Sequence, residues 1–283
     1  MPTFLTQTWG RIGAIIGAGV VFLIVASTGQ ANPAFWKLEW PETDFSKHSV
    51  PFKEIFSGGV PRDGIPPIYD PNFASIDAVA KHYKGTEPVI EVSLDGKVRA
   101  YPLSILMTHE IVNDELAGKK IAVTYCPLCS SAVVFDRNVN GKIHTFGVSG
   151  KRRNSDLVMW DHETQSWWQK FIGETILGAA AGMRLTPVPA QLESLARFRD
   201  RAPDGQVMVP ADVMTQPDGT TPYSGMDTLW ETQSKTMLLE RYDYDLLADM
   251  SPLTRVVVVG GKPRHWIFLR KRQRFEDGDL VLT

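Results

Sequence analysis

Through the middle of the chain, apolar residues come in short alternating or β-branched runs and only rarely at helical spacing. Val89-Ile-Glu-Val-Ser-Leu94 and Lys97-Val-Arg-Ala-Tyr101 flank Asp95-Gly96, a pair suited to the positive φ angles of a two-residue turn, and predict a hairpin. Ile121-Ala-Val-Thr-Tyr125 and Ala132-Val-Val-Phe135 predict two more strands, one on each side of Cys126-Pro-Leu-Cys129. Asn140-Gly141 marks another tight turn. After it, residues 142–148, 157–161 and 166–172 read as strands, with 149–156 a polar loop and 162–165 a turn. Helical patterns are fewer. Residues 70–83 predict a short helix capped near Ser75, and residues 191–201 a surface helix. Residues 105–116 predict a helix capped by Ser104 and stopped by Gly118, with Ile105, Leu106, Ile111, Val112 and Leu116 as its apolar stripe. The expected class is α+β, a β-rich core of short antiparallel strands and hairpins with a few peripheral helices.

The ends of the chain read differently. Arg11 precedes an uncharged apolar run over residues 12–25, and small residues follow as far as Ala31. This pattern predicts that residues 1–31 are a signal peptide cleaved after Ala31, or an N-terminal membrane anchor if uncleaved. The run is shorter than the roughly 20 residues of a spanning helix, which favours the signal. Either way the chain is expected to be exported, periplasmic or otherwise extracytoplasmic. Residues 32–72 hold seven prolines with Trp36 and Trp40, and predict a Pro-rich extended arm. Residues 73–283 follow as a single β-rich domain in which 202–250 form an irregular insertion. Near the C-terminus, residues 254–270 echo 89–105 as strand, glycine turn, Lys-x-Arg strand and helix start, the mark of a duplicated hairpin.

Composition narrows the functions. A net charge of −2 and a pI near 6.3 exclude an electrostatic nucleic-acid binder, and leave membrane contact to the N-terminal segment alone. Only two cysteines in an exported chain exclude a disulfide scaffold. A local disulfide, a redox pair and a metal site remain. Ser130 after the second cysteine excludes the Cys-x-x-Cys-His haem attachment.

The Cys126–Cys129 pair lies between two strands with no helix after it, unlike a thioredoxin-type site at a helix N-terminus. A turn of this kind offers two thiolates to one ion, and the softness of sulfur points to Cu(I) or Zn²⁺. Two sulfurs leave zinc short of ligands, and His109, on the predicted helix leading into the cysteine strand, is the expected third. His109-Glu-Ile-Val-Asn113 resembles the start of a His-Glu-x-x-His motif, but Asn113 replaces the second histidine, which argues against a zincin protease. Glu110 and Asp114 are candidate catalytic or supporting carboxylates on a second helix face. Arg153 and Asp156 belong to an Arg152-Arg-Asn-Ser-Asp156 run, which either holds an anion or pairs internally. Trp167 and Trp168 line a cleft or pack the core. His48, His82, His144, His162 and His265 have no metal-ligand spacing.

Several segments together resemble one family, the exported bacterial and archaeal proteins grouped as domain of unknown function 3179. They are Ile65-Pro-Pro-Ile68, Arg99-Ala-Tyr-Pro-Leu103, His109-Glu-Ile-Val-Asn-Asp114, Val123-Thr-Tyr-Cys-Pro-Leu-Cys129, Val134-Phe-Asp-Arg137, Thr145-Phe-Gly-Val-Ser-Gly150, Arg153-Asn-Ser-Asp-Leu-Val-Met159 and Trp168-Gln169. The resemblance implies that His109, Glu110, Asn113, Asp114, Cys126, Cys129 and residues 153–156 occupy motif positions. It brings no activity with it. Thr108 and Ser130 depart from the family's usual residues at those places. Three readings stay open. The first is a metal-site protein using Cys126, Cys129 and His109, the second a thiol–disulfide redox protein. The third is a non-enzymatic protein with a local structural disulfide that binds a small ligand or partner protein.

Overall fold

Tight turns with positive φ at both central residues build much of the fold. Asp95-Gly96, Ala117-Gly118, Asn140-Gly141 and Asn154-Ser155 all take this form, with φ between 47° and 84°, and each joins neighbouring antiparallel strands as a type I′ turn does. The computed structural model describes residues 33–210 and four short strands beyond them, Val256–Val259, Lys262–His265, Phe275–Asp277 and Leu280–Leu282. The predicted signal or anchor and residues 211–250 of the predicted insertion lie outside the described residues.

The chain divides into two compact units, residues 1–221 and 222–283. Among the described residues the first holds three larger sheets and a two-stranded ribbon, Asn138–Val139 with Lys142–Ile143. The thiol sheet has the strand order Thr186–Val188, Ser131–Asp136, Lys119–Cys126, Ile111–Leu116. The tryptophan sheet runs Ile55–Ser57, Phe146–Arg153, Asp156–Asp161, Trp167–Gln169, Glu174–Leu177. The outer sheet runs Ala190–Ser194, Pro88–Leu94, Lys97–Pro102, Gln206–Val209, Asn72–Ser75, and all its pairings are antiparallel except Gln206–Val209 beside Lys97–Pro102. Among the described residues four short α-helices accompany them: Pro33–Glu39, Ile76–Val79, Leu103–His109 and Leu195–Arg201. The β-rich α+β expectation holds. No helix among the described residues is long and apolar enough to cross a membrane.

The thiol sheet lies between the other two, and the two-residue period of a strand explains how. On Lys119–Cys126, Ile121, Val123 and Tyr125 pack into a cluster with Ile90, Tyr101 and Met208 of the outer sheet. Ala122 and Cys126 face the opposite way, into a cluster with Phe146, Met159 and Trp168 of the tryptophan sheet. The same parity holds on Ile111–Leu116. Asp114 turns to Arg99 and Tyr101 of the outer sheet. Asn113 turns to the tryptophan sheet, where its Oδ1 accepts from the Phe146 N–H and its Nδ2 donates to the Phe146 carbonyl, both at 2.8 Å.

Several expected elements change. The helix expected over residues 105–116 ends at His109, and Glu110 takes φ 59°, ψ −33° before the chain turns into the strand Ile111–Leu116. Ala117-Gly118, read as a helix stop, is the hairpin turn to Lys119–Cys126. The polar loop expected at 149–156 belongs to two strands joined at Asn154-Ser155. Lys151 is buried there because its ammonium meets Glu39 at 2.8 Å. Residues 32–72 are not wholly extended: Pro33 opens the helix Pro33–Glu39, since proline fits the first helical position. The surface helix begins only at Leu195, after the strand Ala190–Ser194, and Gln206–Val209 is a strand where irregular chain was expected. Ser75 caps the helix Ile76–Val79, accepting from the Ala78 N–H. In the second unit, Val256–Val259 pairs with Lys262–His265, the strand-turn-strand part of the echoed hairpin. The helix start expected after it lies outside the described residues.

Candidate functional site

Cys126 is the last residue of its strand and pairs with Ser131 across the hairpin, so residues 127–130 form the turn. Ser130 closes the turn at φ 46°, in the left-handed region. Both cysteines are free thiols; Cys126 is 1% exposed and Cys129 half-buried. Strand parity aims Cys126 at the tryptophan sheet, and the hairpin Phe146–Arg153/Asp156–Asp161 presents Asp156 there. Asp156 Oδ1 lies 3.4 Å from Cys129 Sγ. One ligand atom from each of Cys126, Cys129 and Asp156 falls within 4.8 Å of the other two.

Asp156 is held from behind. Its Oδ2 accepts from Gln169 Nε2 at 3.1 Å and from the Phe171 N–H at 2.8 Å. Gln169 Oε1 in turn accepts from Arg153 Nη1 at 2.8 Å, and Arg153 is paired with Glu54 at 2.6 Å. Arg153 is therefore a supporting residue two bonds behind Asp156, its guanidinium taken up internally. Trp167 and Trp168 are fully buried and pack the core.

A fully buried lysine completes the surroundings. Lys170 Nζ donates to the Ser131 carbonyl at 2.6 Å and to Ser131 Oγ at 2.5 Å. Ser131 Oγ is 2.8 Å from Cys129 Sγ. With its oxygen engaged by the ammonium, the serine hydroxyl has its own proton to donate to the sulfur. The two thiols are polarised in opposite senses. Cys126, whose thiol donates to the Ser155 carbonyl at 3.9 Å, is pushed well above the ordinary thiol value by the neighbouring Cys129 and then by burial. Cys129 is lowered by the neighbouring Cys126, against the pull of burial and of Asp156, with Lys170 and Ser131 adding to the lowering.

Glu110 lies beside this group. Its N–H donates to the Leu106 carbonyl at 2.7 Å and its carbonyl accepts from the Tyr125 N–H at 2.8 Å, one residue before Cys126. A non-glycine residue at φ 59°, ψ −33° costs on the order of 1–3 kcal/mol. Burial pushes its carboxyl up to about 7, Lys170 offsets part of the rise and Asp156 adds to it. A carboxyl raised in the folded state favours folding fully below its ordinary value of 4.5, and loses that contribution as pH climbs through about 7. The expected result is a metal-free protein whose stability falls between about pH 4.5 and 7, and a Glu110→Gln variant in which that slope flattens. Urea titrations at a series of pH values measure both.

The other expected site residues are placed elsewhere. The His109 ring donates through Nδ1 to the Pro66 carbonyl at 2.7 Å, and the three-residue group around the sulfurs contains Asp156, not His109. With the helix ended at His109, residues 109 and 113 do not share a helical face. Asp114 is engaged by Arg99, Tyr101 and the Glu115 N–H on the opposite face of the thiol sheet from Cys126. Among the described residues one further group has metal-ligand types, His144, Asp161 and Glu163. Asp161 there already accepts from Thr164 and Trp168 and lies 3.2 Å from His144 Nδ1, an internally satisfied network. Sequence reasoning passed over Lys170 and Ser131. The one available signal was a lysine directly following the run Trp167-Trp168-Gln169, whose residues are otherwise suited to a buried strand.

A family model described as protein of unknown function (DUF3179) matches residues 62–275. No curated protein and no solved structure matches the chain.

Proposed function

This chain belongs to the DUF3179 family of proteins of unknown function, and from that premise we propose that it is an exported metal-site protein holding Zn²⁺ between Cys126, Cys129 and Asp156. The observation that carries the reading is the 3.4 Å between Cys129 Sγ and Asp156 Oδ1. A tetrahedral zinc with bonds of about 2.3 Å to sulfur and 2.0 Å to oxygen sets those atoms about 3.5 Å apart. That pair already stands at the required separation, and a Cys126 sulfur within 4.8 Å of both completes the group.

Charge supports zinc over Cu(I). Two thiolates and a carboxylate carry three negative charges; a divalent ion leaves one, which the buried Lys170 ammonium cancels. A monovalent ion leaves the buried site with a residual negative charge, and a carboxylate is a hard ligand poorly suited to Cu(I). Three protein ligands leave the fourth position for water or a small ligand, the arrangement of an exchangeable or catalytic site more than of a closed structural one. Asp156 replaces His109 in this reading because strand register, not helical spacing, decides which side chain meets the sulfurs.

The test is metal analysis of untagged full-length chain, purified under reducing conditions and titrated with Zn²⁺. One tightly held zinc per chain is expected. A chain that binds none, or binds it equally well as Cys129→Ser, ends the proposal.

A further inference from the structure

We propose that the same pair of thiols exchanges with small disulfides, with Cys129 the sulfur that attacks and Cys126 the sulfur that resolves. The exchange stands on the geometry of the metal-free chain; its consequence, expulsion of the metal on oxidation, rests on the zinc reading above.

Access divides the two roles. Cys126 is 1% exposed at the end of a central strand, so an incoming disulfide cannot reach it. Cys129 is half-buried at the turn, beside the partly exposed Leu128 and Ser130. Its sulfur lies 2.8 Å from the Ser131 hydroxyl, whose oxygen is held by Lys170 at 2.5 Å. The Ser131 hydroxyl stands as a donor beside this sulfur and Asp156 Oδ1, at 3.4 Å, as its acceptor; the thiolate is the form in which sulfur is nucleophilic. Cys126 Sγ lies within 4.8 Å of Cys129 Sγ and is positioned to close the ring.

The chemistry balances in two steps. The Cys129 thiolate attacks one sulfur of RS–SR, forming the mixed disulfide and releasing RS⁻. Cys126 then gives up its thiol proton, attacks Cys129 Sγ and expels the second RS⁻. The dithiol loses two electrons to the disulfide, and the two protons lost by the protein end on two RSH. With both sulfurs tied in a disulfide, a zinc site loses two of its three ligands.

Oxidised glutathione serves as the probe, with reduced, metal-free, full-length chain and mass spectrometry after acid quench and alkylation. The native chain is expected to form the Cys126–Cys129 disulfide without accumulating an adduct. Cys126→Ser should trap one glutathione per chain, and Cys129→Ser should take it up at least roughly tenfold more slowly in the folded state. In denaturant the two single variants should react alike, which assigns the difference to the fold. Equal rates in the folded variants, or faster reaction of Cys126, overturn the proposal. So does a native chain that stays reduced. A parallel sample loaded with Zn²⁺ should release its metal in step with disulfide formation. Failure to bind zinc at all counts against the metal reading and leaves the exchange intact, whereas zinc bound without exchange counts against the exchange alone.

Discussion

The Cys126→Ser and Cys129→Ser variants are each expected to bind Zn²⁺ about 100- to 1,000-fold more weakly than the native chain. Binding free energies of structural zinc sites correspond to roughly 3–4 kcal/mol per ligand, and a hydroxyl neither ionises nor matches the softness of sulfur. In the proposed site each cysteine is one of three ligands, so losing either removes a large share of the binding energy. Asp156→Ala should weaken binding in the same direction. His109→Ala should leave it unchanged, because the His109 ring is anchored on the Pro66 carbonyl and lies outside the group that converges on the sulfurs. Competition with a chromophoric chelator measures all four variants. A large loss in His109→Ala with Asp156→Ala near native would restore the helix-based choice of ligand and discard the one drawn from the sheets.

The second large effect falls on stability. Asp161 is fully buried, and its carboxylate accepts from Thr164 N and Oγ1 and from Trp168 Nε1 at 2.6–2.8 Å, with His144 Nδ1 at 3.2 Å. Asp161→Ala strands these donors in the interior and is expected to cost roughly 3–5 kcal/mol, because each loses its partner without regaining water. In a domain of this size that lowers the melting temperature by roughly 6–20 °C. Burial alone would raise the Asp161 carboxyl, but the bonds from His144, Trp168 and Thr164 outweigh it and hold it below the ordinary value of 3.8. A depressed carboxyl contributes stability above its unfolded value and loses it as pH falls through the folded one. The native advantage over Asp161→Ala should therefore persist at neutral pH and shrink only in strong acid. Thermal melts near neutrality and at acid pH check both parts, and a variant within 1 kcal/mol of native at neutral pH would sink the account.

The opposite pH behaviours of Glu110 and Asp161 come from one difference in surroundings. Glu110 is buried with a single cation near it, and desolvation dominates. Asp161 is buried among aimed donors, and hydrogen bonding dominates. Locally only Thr164, three residues after Asp161, sets the two apart, by donating its N–H and hydroxyl. The remaining donors on Asp161 arrive from His144 on one side and from Trp168 on the other, seventeen and seven residues away.

Much of the architecture was legible residue by residue. Asp95-Gly96 and Asn140-Gly141 announced their turns, the alternation over residues 89–101 announced its hairpin, and the β-branched runs around Cys126 and Cys129 announced strand, turn and strand. Those are local signals, carried by φ preferences and by the two-residue period of a strand. Residues 111–116 misled because Ile111, Val112 and Leu116 suit a helical stripe as well as a strand, and because Ala117 hides a type I′ turn that asparagine or glycine would have declared. The sequence by itself determined the class of fold, the thiol pair and the residues with ligand chemistry. Tertiary structure alone decided which of them meet. Pairing register sends Asp114 to one face of the thiol sheet and Cys126 to the other, and brings Asp156 and Lys170 to the sulfurs from strands and turns 27 to 41 residues on. A one-residue change of register reverses a strand's faces, and that choice is made by the packing of three sheets together, which no local stretch of sequence contains.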